Sequence, residues 1–142
     1  MIIDSSIDAA TIQAYLETEY RIDGDTPALL KVGTVSPELT ALHKANKTDC
    51  SAFVTACNPF SQALDTASNA SRQLALSQEL RRRGLAFMEG VGQHPSNQWP
   101  GEPSFLIFGL SLEDAKELGA SLEQNAIIWS DSDAMPQLIL LR

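Results

Sequence analysis

The hydrophobic positions of this chain change period several times, and each change marks the edge of an element. Ile12, Tyr15, Leu16 and Tyr20 recur at helical spacing, which predicts a first helix from Ile7 to Tyr20, capped by Ser6, with Asp8 at its positive end. A turn at Asp23-Gly24-Asp25 and then Pro27 precede the run from Ala28 to Thr34, read as a short strand. Ser36-Pro37-Glu38 predicts the next helix: a capping hydroxyl, a proline where no donor is needed, then an acid. Leu39 and Leu42 form its apolar face, and His43, beside Lys44, is expected in solvent.

The segment SAFVTACNPFSQ, Ser51 to Gln62, organises the rest. Ala52 to Cys57 is apolar or small on both faces, as expected of a central strand covered on both sides, and Asn58-Pro59 stops it. A long helix is expected from about Ser68 to Arg83, with Ala70, Leu74, Leu76 and Leu80 inward, Arg81-Arg82-Arg83 against its negative end and Gly84 just beyond. Strands at Leu85 to Val91 and Ser104 to Leu110 enclose a loop, Gly92 to Pro103. Ser111-Leu112-Glu113-Asp114 opens a last helix whose core face is Ala115, Leu118 and Leu122 and whose end falls at a left-handed Asn125. Ala126 to Trp129 and Leu138 to Leu141 close the chain as strands around a turn with Asp131 and Asp133.

The expected order is α-β-α-β-α-β-β-α-β-β. That is an α/β (α+β) single domain over 1–142, with an N-terminal helix at about 7–20 and a body at about 28–142. A mixed β-sheet with helices packed on it is expected, containing a ferredoxin-like βαββαβ segment.

Composition narrows the function classes. With 142 residues and 44% hydrophobic content there is material for one core. No apolar run reaches membrane-span length and the N-terminus lacks a basic leader, so a cytoplasmic protein without membrane association is expected. A net charge of −8 argues against nucleic acid, whose affinity comes from cations against phosphates. Cys50 and Cys57 are separated by about 23 Å in an extended strand and read as free thiols. No metal or cofactor motif is present, and none is expected to be bound.

VTACNPFSQ followed by a helix with Asn69 and Arg72, then WPGEPSFLIFGL, then LEQNAIIW, together resemble a family of small bacterial proteins known as domain of unknown function 3293. The resemblance runs from about Ala28 to the end. It implies one cytosolic domain and leaves activity open.

The candidate site lies where the central strand turns into the long helix. Asn58, Ser61 and Gln62 occupy the turn, and backbone donors of the helix start would face the same space, an anion site in prospect. Asn69 and Arg72 share a helix face there, and Arg72 has the geometry to hold a carboxylate or phosphate. Secondary candidates are Glu89, His94, Trp99 and Glu102, with Gln124 at the last helix end. His94 reads as a surface residue, and each turn residue also has an ordinary structural role.

Three readings follow. The first is a non-catalytic binding or regulatory domain that takes a small anion or a protein partner at the Asn58–Arg72 junction or at the loop around Trp99. The second is an enzyme on an anionic or phosphorylated metabolite, with Glu89 or Glu102 as base; it requires one of them within reach of Asn58. The third is an acidic inhibitor of a basic partner protein.

Overall fold

The computed structural model describes residues 5–24, 27–96 and 100–142. The elements are α1 (Ala9–Glu17), β1 (Glu19–Ile22), β2 (Ala28–Leu30), α2 (Pro37–Ala45), β3 (Ser51–Val54), a 3-10 turn (Pro59–Ser61), α3 (Thr66–Arg82), β4 (Phe87–Gln93), β5 (Glu102–Phe108), α4 (Leu112–Ser121), β6 (Ala126–Ser130) and β7 (Gln137–Leu140). The strands form one seven-stranded sheet in the order β2-β1-β4-β5-β3-β6-β7.

Every pairing in it is antiparallel, which corrects the expected mixed sheet. The crossovers β3-α3-β4 and β5-α4-β6 each pass over one strand, β5 and β3 respectively, so that strand separates the parallel pair. β3 sits between β5 and β6 with all four residues buried, in keeping with its unbroken apolar pattern.

Alternation along the strands divides the interior in two. Ala52, Val54, Phe105, Ile107 and Ile127 face Leu76 and Leu80 of α3 and Leu118 of α4. Phe53, Leu106, Phe108 and Ile128 face the other way, with Tyr20, Ile22, Leu30 and Leu39 of α2. A one-residue shift of register would exchange these two sets.

The largest departure is at the N-terminus. The helix expected to reach Tyr20 ends at Glu17, and Tyr20 lies in β1, adding a strand to the expected order. Thr18 causes the stop: its backbone is extended and its hydroxyl bonds to the Ala14 carbonyl. Asp8, not Ser6, caps α1 by accepting from Ala10 N–H. Within α3, Ala70 and Leu74 face outward, Leu74 being 58% exposed, while Gln73 and Ser77 take inward places beside Leu76 and Leu80. The left-handed residue after α4 is Glu123 rather than Asn125. His43 is buried, one turn after Leu39 on the same helix face, with Nε2 2.7 Å from the Ser51 hydroxyl.

Other details match the pattern. Ser36 and Ser111 cap α2 and α4 through Leu39 N–H and Asp114 N–H. Both cysteines are free. Of the triple arginine, Arg82 and Arg83 hold Glu79 at 2.6 and 2.7 Å, and Arg81 lies over the Phe87 ring. Among the described residues no helix is long and apolar enough to cross a membrane.

Candidate functional site

After Val54 the chain leaves the sheet, and its backbone groups lose their ladder partners. Side chains replace them. Ala56 N–H donates to Gln73 Oε1 at 3.0 Å, and the Ala56 carbonyl accepts from Arg72 Nε at 2.6 Å. Cys57 N–H donates to the Thr55 hydroxyl, and the Cys57 carbonyl accepts from Gln124 Nε2 at 3.0 Å. Asn58 N–H donates to Asn69 Oδ1 at 2.9 Å. Buried backbone groups must be paired, and here the polar residues of the junction do that pairing.

Asn58 is the hub of this lattice. It adopts a left-handed conformation (φ 49, ψ 65), which asparagine tolerates better than most residues. Its Oδ1 accepts from Leu64 N–H and Asn69 Nδ2, and its Nδ2 donates to Glu102 Oε2 at 2.6 Å.

The anion site expected here has a different content. Arg72 donates from Nη2 to the Leu122 carbonyl at 2.8 Å as well as to Ala56, so its fork engages the protein's own carbonyls. The start of α3 is capped by the Asp65 carboxylate, which accepts from Ser68 N–H where an anion would have sat.

A cavity of about 350 Å³ opens beside this junction, on the α1 side of the sheet. Ala10, Thr11, Ala14 and Tyr15 of α1 roof it, and Tyr20, Phe53 and Ile128 contribute to its base. Asn58, Ser61, His94, Glu102 and Gln124 stand on its wall. The structure therefore gathers five of the sequence candidates around one space. Asn69 and Arg72 lie behind that wall, Gln62 is exposed, and Trp99 falls outside the described residues.

Polar ties hold the roof down. Tyr15 OH is 2.6 Å from the Ser61 hydroxyl, and Asn125 Nδ2 donates to both oxygens. Arg142 Nη1 in turn donates to Asn125 Oδ1, with its guanidinium 4.4 Å over the Phe60 ring. His94 Nε2 lies 3.1 Å from Glu17 Oε1, which holds the Glu17 carboxyl below its usual range. Ser96 N–H donates to His94 Nδ1 at 3.1 Å, which leaves Nε2 as the ring nitrogen that carries a proton toward Glu17. With its side chain only 11% exposed, His94 is a tether and not the surface residue expected.

A second groove, of about 650 Å³, runs along the opposite face between α3 and the neighbouring ends of β4 and β5. Leu64, Leu74, Phe87 and Glu89 line it, and Asn58 and Glu102 border it as well. The Asn58–Glu102 pair thus stands between the two spaces, while Glu89 belongs to the groove. Gln73 Nε2 is a buried donor without a partner among the described residues. Burial pushes the Cys57 thiol above its usual range, away from nucleophile chemistry. Among the described residues no group of three or more His, Cys, Asp or Glu side chains could hold a metal ion.

Tyr15, Thr18, Tyr20 and Ser104 also line the cavity, and sequence reading missed all four. Tyr15 and Tyr20 were absorbed into an apolar helical stripe. The alternation Glu19-Tyr20-Arg21-Ile22 carried the opposite signal, a strand with Tyr20 and Ile22 on one face.

No curated protein and no solved structure matches the chain. The family described as "Protein of unknown function (DUF3293)" matches residues 54–127, from the end of β3 through α3, β4, β5 and α4 into β6, and the chain belongs to that family.

Proposed function

We propose that this domain binds a small molecule in the cavity under α1 and does not transform it. The observation that carries the reading is the cavity itself: about 350 Å³, an apolar base, a polar wall, and a roof held by specific hydrogen bonds. That volume falls within the roughly 300–1,000 Å³ of ligand pockets. The polar groups able to do acid–base work are engaged internally. His94 has partners on both ring nitrogens, and Arg72 is spent on two carbonyls.

One observation favours a catalytic reading. Glu102 meets the condition of lying within hydrogen-bond reach of Asn58, at 2.6 Å. Both readings place the ligand in the same cavity, so one experiment separates them. Isotope-labelled protein is titrated with a collection of neutral, anionic and cationic metabolites. The expected result is amide shifts at Ala14, Gly92 and Ala126 with a raised melting temperature, both abolished by Ala14→Trp, which fills the space beneath the roof. Shifts confined to the α3 groove overturn the reading, and turnover that disappears in Glu102→Gln replaces it with the enzymatic one.

A further inference from the structure

We infer that the groove along α3 is a docking site for the C-terminal tail of a partner protein, an extended apolar segment ending in a free carboxylate. The site is independent of the α1 cavity: Gln73, Leu74, Ser77, Arg81 and Phe87 line the groove, and none of them lines the cavity.

Two donors of the groove lack a protein acceptor among the described residues. Gln73 is 9% exposed, and its Oε1 is held by Ala56 N–H. That bond fixes which way the amide faces and leaves Nε2 as the buried donor without a partner. Such a donor has already lost its water, so an acceptor brought to it restores a bond without further desolvation of the protein. Arg81 is the second donor. Arg82 and Arg83 share Glu79, whereas Arg81 has no ion pair among the described residues and lies 5.5 Å over the Phe87 ring. A guanidinium so placed suits a carboxylate, which it can hold by two parallel bonds.

The spacing of the two donors is that of a short extended chain. Gln73, Ser77 and Arg81 follow one another along one face of α3, and a helical rise of about 1.5 Å per residue separates the outer two by about 12 Å. An extended chain covers that distance in about three to four residues, at about 3.3 Å each. A tail with its carboxylate at Arg81 therefore brings one of its own backbone carbonyls within reach of Gln73. Side chains between those points meet Leu74, which is 58% exposed, and Phe87. Leu64 continues the apolar margin beyond Gln73. Glu89 lines the groove two residues after Phe87 on β4, which disfavours a second acid further up the tail. A fatty carboxylate would satisfy Arg81 but set hydrocarbon against the Gln73 donor.

Three probes test this on isotope-labelled protein: acetyl-Leu-Ala-Leu-Leu as the free acid, the same peptide as its C-terminal amide, and octanoate. Amide shifts are read at Ala70, Leu74, Ser77 and Phe87. The expected result is that the peptide acid binds at least about tenfold tighter than either the peptide amide or octanoate. Arg81→Gln, at an exposed position, should remove the difference between acid and amide. Gln73→Glu keeps an acceptor for Ala56 N–H but exchanges the unpaired donor for an acceptor, and should weaken the peptide amide by about fivefold. The three-probe comparison and Arg81→Gln decide the matter whether or not that variant folds. Equal binding of acid and amide overturns the C-terminal assignment. Octanoate binding as tightly as the peptide acid overturns it in favour of an acyl carboxylate. No shift at the α3 amides with any probe, or shifts at Ala14, Gly92 and Ala126 alone, overturns the groove as a docking site and leaves the cavity reading in place.

Discussion

Asn58 donates from Nδ2 to Glu102 Oε2 across 2.6 Å, tying the residue that leaves the sheet after β3 to the first residue of β5. The bond has a direction: an amide gives and a carboxylate receives. Asn58→Asp keeps the acceptor for Leu64 N–H and Asn69 but sets a second carboxylate against Glu102. At neutral pH this should cost about 2–4 kcal/mol, from a lost charge-assisted bond and like-charge repulsion. Part of the loss should return near pH 4, where one of two adjacent carboxyls takes up a proton. Urea denaturation at the two pH values measures both numbers. An equal loss at each would show that the backbone conformation, not the charge, is what Asn58 supplies.

Arg72 reads differently in structure and in sequence, and its substitution separates the two roles. Arg72→Met takes a donor from the Ala56 carbonyl and leaves the Leu122 carbonyl with the longer 3.4 Å bond from Gln124 Nε2, and should destabilise the fold by about 2–4 kcal/mol. Arg72→Lys should recover little of this, because one ammonium cannot reproduce two separated guanidinium donations. Inorganic phosphate should bind the unaltered protein and the folded variants equally weakly, as read by titration calorimetry. Phosphate binding that vanishes with Arg72 would restore the anion site.

The contrast shows what the sequence could convey. β3 was legible because its burial is written in its own residues, and α2 and α4 because Ser36 and Ser111 are local capping signals. The junction was legible as a place, since Asn58, Ser61, Glu102, His94 and Gln124 do converge. Their roles were not. Whether Arg72 faces solvent or a carbonyl depends on Leu122, fifty residues away, and whether His43 is buried depends on Ser51 in the next element. β1 was hidden for a related reason: Ile12, Tyr15, Leu16 and Tyr20 fit a helix until Thr18 breaks it, and the partner that makes Tyr20 a strand residue is Leu30 on one side and Gly92 on the other.

The docking of β1 supplies a third prediction. Gly90 on β4 pairs with Ile22, and a Cβ there would run into the Arg21 carbonyl and come within 2.9 Å of the Phe53 ring. The carbonyl is backbone and cannot turn away. Gly90→Ala should therefore push β1 off β4 and cost about 1–3 kcal/mol by overpacking. Since β1 follows α1 directly, hydrogen exchange should speed up in β1 and α1 before it does in β6. Gly92→Ala, whose Cβ would meet only Tyr20 and Phe53 ring atoms at ordinary contact distances of 3.6 to 3.8 Å, should be far milder.

His43 gives the chain a pH dependence whose sign follows from its burial. The ring lies in the α2 core face against the Ser51 hydroxyl, and burial lowers its affinity for a proton, with Asp49 opposing that shift. The folded state therefore binds a proton less readily than the unfolded chain, where histidine titrates near 6.5. Stability from the neutral ring is fully present above that value and is lost as pH falls below it. Carboxylates begin to protonate lower, so the interval from about pH 6.5 to 5 reports on histidine. His94 is the other histidine of the chain, so the contribution of His43 is read as a difference between proteins. His43→Gln, with an amide to meet Ser51, should be less stable than the unaltered protein at pH 7.5 and should lose less on acidification to pH 5. Denaturant midpoints at the two pH values give that difference, and parallel losses in both proteins would assign the acid sensitivity to other groups.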